Sequence, residues 1–219
     1  MATVLPFTLA HIGYMLQGAL WTLALSGLAF VLGGIAGFIL MLGRISHYKA
    51  VRVITLIYVQ VVQSIPLLVI LFAVYFGLAL AGLRVSPLMA AGIGMMVYCS
   101  AYLGEIWRGC IEAIPQTQRE AAESLALSRW QSLIYVLLPQ GARIAIPPTV
   151  GFMVQVVKST SLASVVGFVE LTRASQIINN STFQSFLVFG IAAAMYFTIC
   201  YPLSAYSRSL ERKLNVGCR

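Results

Sequence analysis

Ionisable side chains are scarce and unevenly placed in this 219-residue chain, which has fourteen Lys plus Arg, six Glu, two His and no Asp. One cation, Lys158, follows the uncharged stretch Ile144–Val157, which at fourteen residues spans only about 21 Å and must continue through the lysine to cross a membrane. Gln155 precedes Lys158 by three residues and Ser159 by four, so the three share a helical face, with Thr160 and Ser161 directly after. Ammonium and hydroxyl groups donate to an anion while amide and hydroxyl oxygens accept from a cation, so this set suits a small zwitterion. A second polar set, Gln60, Gln63 and Ser64, lies just before Pro66 in another apolar run, with Gln60 and Ser64 on one face. Glu105 is the one carboxylate well placed within a membrane helix. Each set has a structural alternative. Lys158 snorkels to an interface or neutralises itself, and the second set bonds helix to helix.

No facing group of His, Asp or Cys offers acid–base, nucleophilic or metal chemistry, so no catalytic, cofactor-binding or metal-ligating residue is assigned. Cys99, Cys110, Cys200 and Cys218 lack metal-ligand spacing and are expected to pack.

Hydrophobic residues make up 60% of the chain and charged residues 9%, too little polar surface for a water-soluble globule. The composition predicts an all-α polytopic membrane protein, a single transmembrane domain over 1–219. Five spans are expected, near Gln17–Met41, Ile54–Leu80, Leu88–Trp107, Ala142–Val166 and Ser185–Tyr206. Gly33 with Gly37, and Gly190 with Ala194, repeat the small-xxx-small spacing that lets membrane helices approach closely.

An odd number of spans puts the termini on opposite sides. Eleven cations, from Arg44 to Arg219, fall on one side and only Arg84 and Arg173 on the other, which predicts an external N-terminus and a cytoplasmic C-terminus. The formal charge of +8 therefore reflects lipid headgroups and orientation rather than nucleic acid.

The most polar stretch runs from Arg108 to Arg143. Pro115 can open a helix, and Ala121 with Leu125, and Ala122 with Ala126, recur at helical spacing. Ser128 caps a second helix, which Pro139 is expected to interrupt or end. The element over 115–138 should lie across the cytoplasmic mouth of the bundle. It either rests on lipid or docks into another protein. Glu120, Ala121, Ala122, Glu123 and Ala126 form a small, partly acidic face that favours docking.

These residues also carry a resemblance. Glu120-Ala121-Ala122, Leu125-Ala126 and Leu138-Pro139-Gln140 are similar to the EAA loop of permeases in ATP-binding cassette (ABC) importers. Tyr102, Glu105, Arg108 and Gly109, the pair Pro147-Pro148, Lys158 to Leu162, Glu170 to Arg173 and Leu210 to Lys213 resemble the polar amino acid subfamily, histidine and glutamine permeases among them. The resemblance implies a type I importer core of five helices in a bacterial cytoplasmic membrane. It implies pairing with a second permease chain, identical or homologous, on two ABC ATPase subunits, with an extracytoplasmic solute-binding protein delivering the amino acid. ATP and magnesium would be bound on the ATPases, and the sequence has no Gly-x-x-x-x-Gly-Lys-Ser/Thr phosphate loop of its own. By the same resemblance Glu120 to Ala126 form the helix seated in the ATPase groove.

Four positions depart from the family pattern. Ala126 replaces a glycine, Gln63-Ser64-Ile65-Pro66 lacks an arginine, Gly151 replaces an asparagine and Ser159 an acid. An alanine at 126 predicts either a differently formed turn or a helix that continues. The rival function is an ion-coupled secondary transporter, which would call for more spans, an internal repeat and more intramembrane acids.

Overall fold

The computed structural model describes residues 6–216, so the cations counted at Arg219 and the thiol of Cys218 lie outside the described residues. Apolar stretches become helices because a backbone in hydrocarbon must satisfy its own polar groups. The first, α1 (Leu9–Arg44), crosses α4 (Pro87–Glu112), and the crossing is unusually close. A Cβ built on Gly37 would stand 2.9 Å from the Ser100 carbonyl oxygen, and one on Gly104 would stand 2.9 Å from the Gly37 carbonyl oxygen. The expected stripe of Gly33 and Gly37 is thus the seat of α4, whereas Gly190 is exposed with nothing near its missing Cβ.

The second expected span is two helices, α2 (Lys49–Ser64) and α3 (Leu67–Leu80), bent by 104°. Pro66 has no amide proton to donate and forces the preceding Ile65 into extended backbone (φ −101°, ψ 130°), which ends α2. At about 24 and 21 Å, neither half alone spans a 30 Å core. Four helical runs are long and apolar enough to cross, and the bent pair makes a fifth if it is one span.

α4 begins sharply because Ser86 accepts a hydrogen bond from the Met89 amide and Pro87 sits in the first turn. It occupies the centre of the bundle, its Tyr98 and Tyr102 stacked against Phe152 with ring centroids 5.9 and 5.5 Å away. Trp107 donates to Thr149 Oγ1 (2.9 Å). Cys99, Cys110 and Cys200 are buried free thiols, as their apolar surroundings lead one to expect.

Beyond α4 lie α5 (Gln116–Ser124), the short α6 (Arg129–Gln131), a π-helical turn over Ser132–Leu137, and α7 (Leu138–Ser159), which runs into a 3-10 turn over Thr160–Val166. Pro139 neither interrupts nor ends its helix. The wide π turn just before it accommodates the ring and the missing donor, and Gln140 Nε2 donates to the Val136 carbonyl (3.0 Å). α7 likewise continues through Pro147 and Pro148 without a break, so the fourth span is interrupted at its ends rather than at the proline pair. After Gly167, whose φ of +88° turns the chain, α8 (Leu171–Thr182) and α9 (Ser185–Val216) complete the fold.

Candidate functional site

Two places gather the polar groups the sequence singles out. The first is a ridge built on α5. Ala122 is its one buried side chain, whereas Glu120, Ala121, Glu123, Leu125 and Ala126 are exposed. Arg119 Nη2 donates to the Ile111 carbonyl at the end of α4 (3.3 Å), and Gln140 Nε2 to Gln118 Oε1 (3.3 Å), so the ridge is tied to two spans. Leu138 is half-buried and Pro139 exposed where the ridge segment enters α7.

Its C-terminus is a Schellman turn, in which the Leu127 amide donates to Ala122 O (3.1 Å) and the Ala126 amide to Glu123 O (2.9 Å). Ala126 itself takes φ +56°. The turn therefore keeps the geometry a glycine would supply, and alanine carries the steric strain of the left-handed region. Ser128 then accepts from the Gln131 amide while Gln131 Oε1 accepts from the Ser128 amide, the capping box expected there. Leu125 is 75% exposed and Trp130 67%, an apolar edge beside two acids that no cation pairs among the described residues. Sequence reasoning passed over Trp130, although a tryptophan in so polar a stretch was a signal.

The second place is the polar face of α7. Gln155 and Lys158 are exposed on it, but Ser159 is buried, so the three do not form one face. Thr160 is also buried, its hydroxyl donating to Val157 O (2.7 Å), and Ser161 donates to Lys158 O (2.8 Å), the short bonds of a tightening helix end. On α2, Gln60 and Ser64 are exposed, while Gln63 turns inward and donates to the Ala101 carbonyl (3.5 Å).

Glu105 is no partner for Lys158. Arg108 Nε donates to both its oxygens (3.0 Å) and Arg44 Nε approaches to 3.6 Å, with Glu112 also on Arg108, forming a charge cluster where α1 and α4 end. Glu170 is fully buried. It caps α8 by accepting from the Thr172 and Arg173 amides (2.9 and 2.8 Å). Sequence reasoning missed this joint because Thr22 and Tyr196, the other residues in it, are 148 and 26 residues away.

A family model described as binding-protein-dependent transport system inner membrane component matches residues 29–216. The chain belongs to that family. It is the permease subunit of an ABC importer, which sets aside the ion-coupled alternative. The glutamine transport system permease GlnP of Escherichia coli (strain K12) is 35% identical over 209 residues, covering 92% of this permease and 93% of GlnP. The probable amino-acid ABC transporter permease YckA of Bacillus subtilis (strain 168) is 34% identical over 200 residues, 91% of this permease and 88% of YckA. A crystal structure of an amino acid ABC transporter with histidines superposes with TM-score 0.88 at 30% identity, over 94% of this permease and 96% of that chain. The inward-facing MetNI methionine transporter shares the fold at 18% identity, TM-score 0.76, over 94% and 99% of the two chains.

Proposed function

We propose that this permease is the membrane-spanning subunit of an ATP-driven importer of polar amino acids in a bacterial cytoplasmic membrane. Its N-terminus lies outside and its C-terminus inside. It pairs with a second permease chain, identical or homologous, and receives substrate from an extracytoplasmic binding protein. Two ABC ATPase subunits bind and hydrolyse ATP with magnesium, and the ridge Gln116–Ser124 with its Schellman turn sits in their groove as the coupling helix. The observation that carries this reading is the ridge itself, whose small side chains and two unpaired acids face outward while Arg119 and Ala122 fasten it to the bundle.

Nucleotide-driven motion of the ATPases would push on α5 and pass through Arg119 to α4 and through Gln118 and Gln140 to α7. The second of these helices carries the polar face of Gln155 and Lys158, which we assign to the translocation path together with Gln60 and Ser64. An ionised lysine costs at least about 2.5 kcal/mol in hydrocarbon, so exposure of Lys158 supports a wet cavity on that side. Ser159, Thr160, Ser161 and Gln63 instead shape the helices that hold this face.

The reading is tested by purifying the chain with its ATPase and reconstituting both in vesicles. Uptake of a labelled amino acid that requires ATP and is stimulated by the binding protein is expected. Uptake by the purified chain alone, driven by an ion gradient, would overturn it.

A further inference from the structure

A groove of about 270 Å³ runs between α7 and α9, lined by Lys158, Tyr196, Cys200, Tyr201, Ser204 and Arg208. The two helices are antiparallel. Ser207 donates to Pro147 O (3.0 Å), and Cys200 packs with Val154 and with Val157, the neighbour of Lys158. Side chains lean toward the N-terminal end of their own helix, so Lys158 and Arg208 lean toward one another from opposite ends of the groove.

Neither cation is ion-paired among the described residues. The carboxylates are engaged or elsewhere. Glu105 and Glu112 are held by arginines, and Glu170 is buried and saturated with donors. Glu120 and Glu123 stand on the ridge, and exposed Glu211 lies a turn past Arg208 without lining the groove. Two cations beside the hydroxyls of Tyr201 and Ser204 make a site that an anionic group completes and a cation does not.

We propose that this groove takes the carboxylate of the transported amino acid, and that its positive charge makes the path select neutral and acidic amino acids over cationic ones. The proposal rests on the assignment of the Lys158 face to the path. The anion has two sources, a substrate carboxylate or a lipid phosphate.

The test is equilibrium binding of labelled glutamate, glutamine and arginine to the permease–ATPase complex, without binding protein, in phosphatidylcholine nanodiscs with or without phosphatidylglycerol. Glutamate and glutamine are expected to bind about tenfold or more tightly than arginine. Lys158→Glu reverses that order, Arg208→Gln weakens glutamate binding, and phosphatidylglycerol changes neither. Size-exclusion of each variant with the ATPase checks that it folds. Arginine binding as tightly as glutamate, an order unmoved by Lys158→Glu, or no binding of any of the three overturns the proposal. So does competition by phosphatidylglycerol, with a phospholipid seen by native mass spectrometry that Lys158→Gln releases, which assigns the groove to lipid. Loss of ATP-driven uptake by the wild-type complex would instead strike the importer reading, so the two failures are separable.

Discussion

The carboxylate of Glu170, at the head of α8, accepts a hydrogen bond from the Tyr196 hydroxyl of α9 at 2.7 Å. Thr22 of α1 completes the joint, accepting from the Leu171 amide (3.2 Å) and reaching the same carboxylate (3.5 Å). Three helices distant in sequence are locked by one buried acid, because a carboxylate out of water persists only when its lone pairs are filled. Glu170→Ala should leave Tyr196 and two amides without their acceptor and destabilise the chain by about 2–4 kcal/mol. Tyr196→Phe should cost about 1–2 kcal/mol, since it removes one donor and keeps the packing. Thermal unfolding of the detergent-solubilised complex measures both, and equal midpoints for Glu170→Ala and wild type would contradict the joint.

The strained turn at Ala126 makes a prediction of opposite sign. At φ +56° a glycine pays no Cβ penalty, so Ala126→Gly should stabilise the ridge by about 0.5–1 kcal/mol, and Ala126→Val should destabilise it by more. Resistance of the 115–138 segment to limited proteolysis in the assembled complex is the readout. Faster cleavage of Ala126→Gly would show that the turn is not left-handed.

Where α1 meets α4, the backbones leave no room for a side chain. Gly37→Val and Gly104→Val should each prevent stable folding, because a Cβ at either position meets backbone at about 3 Å that cannot step aside. Gly190→Ala should cost little, its Cβ position being open. The amount of monodisperse protein recovered from membranes ranks the three, and equal recovery would sink the assignment of the crossing.

Where α1 and α4 end, Glu105 holds two arginines at once. Glu105→Gln removes the charge that compensates Arg44, which is only 12% exposed, and should loosen the α1–α4 end next to the ridge by about 1–3 kcal/mol. Hydrogen exchange at 105–114 reports it. Faster exchange is expected for Glu105→Gln, and unchanged exchange would mean that the cluster is only a solvated surface feature.

Much of this was legible in composition and spacing. Long uncharged runs predict helices, Pro115 and Ser128 mark the ridge, and the EAA pattern points to the family. What stayed hidden were contacts between distant positions. Nothing near Glu170 announces Tyr196, and nothing near Gly37 announces Gly104. Local chemistry was also overruled by context. Pro66 breaks its helix, while Pro139 and the Pro147–Pro148 pair do not, because a π turn precedes one and the packed α7 carries the other. Ser159 shares a helical face with Gln155 by arithmetic, yet the helix tightens there and turns it into the core.

The coupling role of α5 is tested most directly by Ala121→Trp. Ala121 is exposed on the ridge, so a tryptophan there leaves the chain free to fold, while under the proposed coupling role it would no longer seat in the ATPase groove. In vesicles containing the full complex and binding protein, ATP-driven amino acid uptake is expected to fall by about tenfold or more, with the variant permease still inserted and monodisperse. Uptake at the wild-type rate, with the ATPase still bound, would contradict the account.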